Sequence, residues 1–466
     1  MNFTRRRLLQ GLGLLGAGAT FGGLSRAFGA TTVTPGQEPF LVVCTFDGGW
    51  DQLLALDPRS NTAFTEASTI HPAYDQVTDA ATQAVLGSTQ GTGLVTPSGS
   101  AITFGPAVGR LSDRYADLCV VRGINTSTLT HEVGRRYLLT GKFPRGLQAS
   151  GSALATAAAA EVGDLTPIPN LVVAGETYNE GLPNFASGLS IRKSNDLLSV
   201  LTSLGAPLPS ASNAAIDAYH ATEKCSDRLY DGNSSVTTWL DSRAKAQVLA
   251  SGDLGVHFEF SKKPSAAIEA LYGHFGLAGA TQQALTQALA GPVGSVMIAA
   301  QAITQGVSQC ISIPLVASSI DDHDDSWSTD HAPNLRAGFE ALADLITYLK
   351  ATKDSSGVAY FDRTVFMVTS DFARTPKLNS RGGRDHHLAS SCILAGKGIR
   401  GNTVIGATRD DTFGIQAVDP DTGKVAEGGV LIRPPDLHAT LLTAAGLSYD
   451  HISNQSPIIL NAALKG

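Results

Sequence analysis

The sequence predicts an α/β fold, a three-layer α/β/α sandwich built around a mostly parallel sheet. Short apolar runs recur along the 466 residues and are continuous rather than alternating, as in strands that are covered on both faces. Helical patterns separate these runs, and a hydrophobic content of 43% is enough to bury a large core. In such folds the strand ends meet along one edge of the sheet, where ligands bind.

Six runs are predicted as buried strands because they are short, apolar and rich in β-branched residues. They are "LVVCTF" from Leu41, "LCVVRGI" from Leu118, "NLVVAG" from Asn170, "CISIPLVASSI" from Cys310, "TVFMVTS" from Thr364 and "SCILAG" from Ser391.

Two helices are clearly marked by apolar spacing and by their end signals. One begins near Asn334, and the other begins at the proline pair that starts with Pro434. Residues 176–310 are less strand-like and rich in Ala, Ser and Gln. We interpret them as a helical insertion or cap, with helical stretches near 266–272 and 293–305, rather than as a separate domain.

The N-terminal segment 1–30 is typical of an export signal. It has arginines at positions 5–7, an apolar Gly/Ala/Leu-rich stretch and a small-residue end, with cleavage predicted after Gly29. The arginine cluster resembles the twin-arginine type. This predicts the twin-arginine translocase as a partner, a mature domain of residues 31–466, a periplasmic or secreted location and no stable membrane span after cleavage. The alternative is a membrane anchor, for which the stretch is barely long enough.

The charge balance argues against nucleic-acid binding. The formal net charge is −7, and removal of a signal that has four arginines and no acid changes it to −11. Duplex affinity comes largely from Lys and Arg that neutralise phosphates, so an acidic mature chain is a poor binder of nucleic acid.

The five cysteines argue against a disulfide framework or a zinc–thiolate site, because their number is odd and no C-x-x-C is present. Four lie in apolar runs and are predicted to be buried, inert thiols: Cys44, Cys119, Cys310 and Cys392. Only Cys225 has an exposed setting in the sequence.

Residues that could do chemistry follow four of the predicted strands. They are Asp47; Ser127, Thr128, Thr130 and His131; Asp321, Asp322, His323, Asp324, Asp325, Asp330 and His331; and Asp371 with Asp385, His386 and His387 on its loop. Carboxylate and imidazole without thiolate is a ligand set for Zn, Mn or Mg/Ca. A single Asp after a strand is usually a helix N-cap, but four strand ends with the same chemistry predict a site for a divalent metal.

These motifs resemble a known superfamily and, more closely, one family. The order of Asp-Gly after the first strand, a hydroxyl at a helix start, an Asp/His cluster, "TSD" and a late His resembles the alkaline phosphatase and sulfatase superfamily. The stretches "THEVGRRYLLTG", "DDH", "TSDFARTPKLN" and "DHH", with the N-terminal signal, resemble more closely the exported proteins called domain of unknown function 1501. That resemblance extends over residues 40–447 and implies an alkaline phosphatase-like fold.

The superfamily resemblance also implies roles for individual residues. Asp47 is the first metal ligand, and Thr130 is the best position for the nucleophile, with Ser127 and Thr128 as alternatives. The further ligands that it implies are Asp321, His323, Asp371 and His386. His131 stands beside Thr130 at the predicted helix start and joins it as a candidate catalytic residue.

The sequence departs from the superfamily pattern directly after Asp371. Phe372 stands where a ligand usually follows, so one metal site is either missing or rebuilt from Asp385 and His386. The alternative is that the histidines of this loop only precede the next strand. Arg374 is a candidate clamp for an anion, with a surface salt bridge as the alternative.

The sequence therefore predicts an exported, metal-dependent hydrolase of a phosphate or sulfate ester. Its expected partner is a small anionic ester or a component of the cell envelope. The absence of a C/S-x-P-x-R stretch weighs against a formylglycine sulfatase. The alternative function is a non-catalytic envelope protein that keeps the fold and a structural metal. His331 is the alternative to His323 as a ligand.

Overall fold

The computed structural model describes residues 37–202, 209–223, 253–260 and 264–466. The predicted signal segment 1–30 and Cys225 lie outside these described residues. The strands are β1 Phe40–Phe46, β2 Leu118–Asn125, β3 Ile168–Val173, β4 Leu189–Ile191, β5 Ser308–Pro314, β6 Thr364–Ser370, β7 Ala373–Arg374, β8 His386–His387, β9 Ala389–Gly396 and β10 Thr403–Ile405.

The α-helices lie between the strands and within the predicted insertion. They are α1 Ala80–Ser88, α2 His131–Thr140, α3 Leu154–Val162, α4 Ser194–Leu201, α5 Ser210–Glu223, α6 Ala266–His274, α7 Gln282–Leu289, α8 Pro292–Thr304, α9 Ala332–Ala351, α10 Tyr360–Arg363 and α11 Pro434–Ala445. In the described part of the chain, no helix combines the length and the apolar character that crossing a bilayer requires.

The central sheet has eight strands in the order β10-β2-β9-β6-β1-β5-β3-β4. β1 pairs in parallel with both β5 and β6, whereas β9 runs antiparallel to its neighbours β2 and β6. The prediction of an α/β fold with a mostly parallel sheet is confirmed. The sixth predicted strand, β9, is the exception in direction, and this places its first residues at the edge where the parallel strands end.

Two hydrophobic clusters cover the two faces of the sheet. Along β1, Val42 and Phe46 face one cluster, which includes helices α8 and α9, while Leu41 and Val43 face the other, which includes α3 and α11. This alternation follows from the two-residue period of a strand and gives the three layers. The four cysteines predicted to be buried are buried and form no disulfide.

Helix α11 carries a buried imidazole, and its protonation lowers the stability of the fold. His438 Nε2 donates to the Leu138 carbonyl at 2.7 Å, and His438 Nδ1 is buried without a partner among the described residues. His451 packs against it with ring centroids 6.1 Å apart. Burial lowers the pKa of His438 to about 4, and burial, His438 and Lys142 lower that of His451 to about 3.

This pair predicts a loss of stability in mild acid. The unfolded chain protonates each His near pH 6.5, but the folded chain does so only near pH 4 and pH 3, so stability is present above pH 6.5 and is lost as the pH falls through this window. His438 alone contributes at most about 3 kcal/mol to this loss. His438→Gln, which keeps the donor to Leu138, is expected to lose less stability than the wild type between pH 7.5 and pH 5 in urea unfolding. Equal losses in both proteins would exclude His438 as a cause.

Candidate metal centre

The candidate site lies where four strands of the sheet present their ends at one edge. β1, β2, β5 and β6 run in the same direction, and the segments that follow them supply Asp47, His131, Asp321 with His323, and Asp371. β9 runs the other way, so the residues that precede it, Asp385 and His386, reach this edge as well. The direction of β9 therefore explains how a loop that leaves β6 returns to the same place.

Three imidazoles at this edge are oriented by acceptors on their Nδ1 atoms. His131 Nδ1 lies 2.7 Å from Asp371 Oδ2, His323 Nδ1 lies 2.8 Å from Asp385 Oδ1, and His386 Nδ1 lies 2.6 Å from the carbonyl oxygen of residue 129. Because carboxylate and carbonyl oxygens only accept, we infer that each Nδ1 carries a proton. In the neutral form of each ring, Nε2 then carries a lone pair.

The three Nε2 atoms and one carboxylate oxygen converge. His386 Nε2 lies 3.1 Å from His131 Nε2 and 2.8 Å from His323 Nε2. Asp321 Oδ1 lies 3.1 Å from His131 Nε2, 3.1 Å from His323 Nε2 and 3.4 Å from His386 Nε2. We call these four residues the histidine cluster. Lone pairs that face one another at these distances repel unless a cation or a shared proton lies between them.

The donor set of the histidine cluster fits a divalent metal. The ligand atoms of His131, Asp321 and His386 all lie within 4.8 Å of one another. Metal–nitrogen and metal–oxygen distances of about 2.0–2.2 Å place neighbouring tetrahedral ligands about 3.3–3.6 Å apart, within about 0.5 Å of the three separations in this triangle. His323 Nε2 forms a second triangle with Asp321 Oδ1 and His386 Nε2, at 3.1 and 2.8 Å from them.

Arg374 lies against the histidine cluster and is fully buried. Its Nε donates to the Gly49 carbonyl at 2.9 Å, and Nη1 reaches the Arg384 carbonyl at 3.0 Å and His323 Nε2 at 3.3 Å. Its Nη2 donates to Asp321 Oδ1 and to the backbone carbonyls of Gly48 and Ile320. An anion clamp would require Arg374 to give up one of these bonds.

The charge of Arg374 keeps Asp321 ionised. Partial burial alone would raise the pKa of Asp321, but the hydrogen bond and charge of Arg374, with the nearby imidazoles, hold that pKa well below its usual range. His131 is affected in the opposite sense. Burial lowers its pKa, but the hydrogen bond and charge of Asp371, together with Asp321, outweigh burial and raise it.

Asp47 lies beside the cluster rather than inside it. Burial, followed by the charge of Asp371, raises the pKa of Asp47 to about 6 against the opposing charge of Arg135. Its Oδ1 is buried without a hydrogen-bond partner among the described residues. Asp47, Arg135 and Asp371 line one small cavity. Asp371 therefore adjoins both residues, Asp47 through this cavity and His131 through the bond to its Nδ1.

The three hydroxyl residues predicted as nucleophiles lie on the loop before α2. Thr130 is exposed and is the N-cap residue of this helix, without a hydrogen bond from its side chain to the first turn. Thr128 Oγ1 accepts from the Thr130 amide at 3.1 Å, and Ser127 adopts a positive φ of 57°. In the part of the chain that the structure describes, none of these hydroxyls bonds to the histidine cluster.

Of the other candidates, His331 and His387 lie outside the histidine cluster. His331 is fully buried and bonds to Asp322 Oδ2 and the Asp51 amide. His387 Nδ1 accepts from the Ala389 amide. Sequence reasoning missed the backbone carbonyl that orients His386, since a carbonyl leaves no signal in residue type. It also gave no role to Asp51, which follows β1 in the motif "DGGWD".

Comparison with known proteins gives one family match and several structural likenesses. A family model described as Protein of unknown function (DUF1501) matches residues 40–456. No curated protein matches the sequence.

Among solved structures, Ps i-CgsB in complex with k-i-k-neocarrahexaose is 13% identical, with 91% of this chain and 75% of that chain covered and a TM-score of 0.31. PsFucS1 sulfatase from Pseudoalteromonas sp. is 12% identical, with 88% and 68% covered and a TM-score of 0.33. The lipoteichoic acid synthase LtaP from Listeria monocytogenes is 9% identical, with 90% and 76% covered and a TM-score of 0.32.

Proposed function

We propose that this chain, which belongs to the DUF1501 family of proteins of unknown function, is an exported, metal-dependent hydrolase of phosphate or sulfate esters. The observation that supports the proposal most is the convergence of the Nε2 atoms of His131, His323 and His386 on Asp321 Oδ1. Such a group of acceptors is stable when a cation binds between them.

In this proposal the predicted site residues divide into ligands and orienting acceptors. His131, Asp321 and His386 hold the metal, and His323 is the fourth candidate ligand. Asp371 and Asp385, predicted as ligands, instead accept from Nδ1 of His131 and His323 and so fix the direction of each Nε2. Metal-ligating histidines in proteins commonly have such a carboxylate behind them.

The surroundings of the histidine cluster favour an anionic substrate. A bound divalent metal polarises the oxygen of an ester and lowers the pKa of a hydroxyl or water beside it. The first amides of α2, directly after Thr130, have no acceptor within the helix, and amides in such a position can bind an anion. Thr130 is our first candidate for the nucleophile because it adjoins His131 in the chain, and Ser127 and Thr128 remain the alternatives.

A second candidate function is a non-catalytic envelope protein with a structural metal. Two observations favour it. All N–H groups of Arg374 are used within the protein, and the candidate hydroxyls make no bond to the histidine cluster within the described residues. Export by the twin-arginine route and a periplasmic or secreted location remain proposals from the segment 1–30, which lies outside the described residues.

The test is metal analysis of the purified mature chain, followed by assays with chromogenic phosphate monoesters, phosphate diesters and sulfates. We expect about one metal per chain and hydrolysis of at least one ester class, lost with a chelator and restored by the metal. Asp321→Asn, which removes the charge of the ligand oxygen, is expected to lose both metal and hydrolysis. A chain that binds metal and hydrolyses none of these esters supports the envelope protein. A chain that binds no metal contradicts both functions.

A further inference from the structure

A buried ion pair lies close to the histidine cluster but outside it. Arg384 Nε lies 2.8 Å from Asp51 Oδ2, and the two side chains are 0% and 1% exposed. A buried ion pair is often no more stabilising than apolar residues of similar volume, so burial by itself does not explain why charges are placed there. Its connections to the rest of the molecule indicate its role.

Arg384 ties three segments of the chain together. Its Nη1 donates to the Thr375 carbonyl at 2.8 Å, and its Nη2 donates to the carbonyls of His71 and Pro72 at 2.9 and 2.7 Å. The guanidinium stacks 4.7 Å from the centroid of the Trp327 ring. Planar, delocalised and rich in donors, a guanidinium suits such a position better than an ammonium does.

Asp51 connects the ion pair to the segment between β5 and α9. Its Oδ2 accepts from Trp327 Nε1 at 2.9 Å, and its Oδ1 accepts from the Leu53 amide at 2.9 Å. The Asp51 amide donates to His331 Nε2 at 3.0 Å, and His331 Nδ1 donates to Asp322 Oδ2 at 2.7 Å. His331 is fully buried, so it is held in one tautomer by these two bonds.

Both ends of this chain of contacts, which joins the ion pair to hydrogen bonds, adjoin the histidine cluster. Asp322 follows the cluster member Asp321, and Arg384 is two residues before the cluster member His386. The Arg384 amide also donates to the Asp322 carbonyl at 3.1 Å, which joins the two cluster-bearing loops directly. The separation of Asp321 from His386 therefore depends on groups that contact neither of them.

We propose that Asp51, Asp322, Trp327, His331 and Arg384 form a positioning network that fixes the distance between the two loops and thereby sets the affinity of the site for its metal. This inference rests on the proposed metal site. The five residues touch no substrate, and they act through the placement of Asp321, His323 and His386. Groups behind metal ligands change metal affinity in this way in other proteins.

The test compares Asp51→Asn, Arg384→Lys and His331→Gln with a partly buried ion pair elsewhere. Asp354 and Arg363 form that pair, with a separation of 2.7 Å and side chains 7% and 14% exposed, at the opposite edge of the sheet before β6. Metal dissociation constants are measured for zinc and manganese by competition with a chromophoric chelator, and unfolding of the metal-free chains is measured in urea. We expect the network variants to raise the dissociation constant by about 10–100-fold. Asp354→Asn is expected to destabilise the chain and leave the dissociation constant unchanged.

His331→Gln keeps the proposal testable where the charge variants do not fold. It leaves the ion pair intact and changes only the two bonds of His331, from the Asp51 amide and to Asp322 Oδ2, so a weaker metal affinity in a folded chain supports the network. Variants that bind metal as the wild type does would overturn the positioning role and leave the proposed function standing. A wild-type chain that binds no metal would overturn both.

Discussion

His386→Ala is expected to weaken metal binding by more than about 100-fold, beyond the range that groups behind the ligands produce. His386 Nε2, like Asp321 Oδ1, lies within 3.4 Å of the other three proposed ligand atoms of the histidine cluster. Its removal leaves His131 and His323 joined only through Asp321 Oδ1. We expect the melting temperature to fall together with bound metal, because metal binding contributes to the free energy of folding.

His387→Ala is the matched control for this prediction. His387 is adjacent in the sequence and half-buried like His386, but it accepts from the Ala389 amide and packs 5.8 Å from the ring of Phe413. We expect metal binding close to that of the wild type, measured by elemental analysis and by titration of the metal-free chain. If both alanine variants keep full metal while Asp371→Asn loses it, the metal binds beside Asp47 and Asp371 and not within the histidine cluster.

Much of the fold could be predicted from the sequence because it depends on patterns along the chain. The run "TVFMVTS" is apolar throughout, and the structure places it at β6, in the middle of the sheet with both faces covered. The direction of β9 could not be predicted. A strand buried on both faces has the same continuous pattern whichever way it runs, and the choice between directions depends on neighbours that are distant in sequence.

The sequence could predict which polar side chains gather at this edge, but it could not predict how they divide into proposed ligands and acceptors. Asp321 and Asp371 both follow strands of the sheet, at the edge where a ligand is expected. Only the geometry separates them, since Asp321 Oδ1 faces the Nε2 atoms and Asp371 Oδ2 faces an Nδ1 atom. Which nitrogen of an imidazole faces inward depends on the rotation of the ring, for which the sequence gives no signal.

Gly134→Ala is expected to destabilise the chain and to disturb the candidate site. Gly134 lies in α2, one turn after His131, and a Cβ atom added there would be 2.4 Å from the Asp371 carbonyl oxygen and 3.4 Å from Phe372 Cδ1. The contact is with backbone, so the helix or the end of β6 must move. We expect the free energy of unfolding to fall by about 1–3 kcal/mol.

The same displacement is expected to reach the metal. Helix α2 carries His131, and Asp371 directly follows β6. A methyl group between the helix and Asp371 is expected to lengthen the 2.7 Å bond from His131 Nδ1 to Asp371 Oδ2, which orients the imidazole. We therefore expect Gly134→Ala to bind metal more weakly than the wild type in the same chelator competition. Loss of stability with unchanged metal affinity would mean that the helix shifts without turning the ring of His131.

Gly87→Ala is the control, because it makes the same chemical change in a helix without a neighbour. Gly87 lies in α1, and an added Cβ atom would meet no atom within 4 Å. Alanine has the higher helix propensity, so this variant is expected to be as stable as the wild type or more stable, by up to about 1 kcal/mol. Opposite signs in urea unfolding for the two substitutions would assign the loss at position 134 to the close approach of α2 and β6. A loss of similar size at both positions would mean that the loss at position 134 does not come from the close approach of α2 to the Asp371 carbonyl.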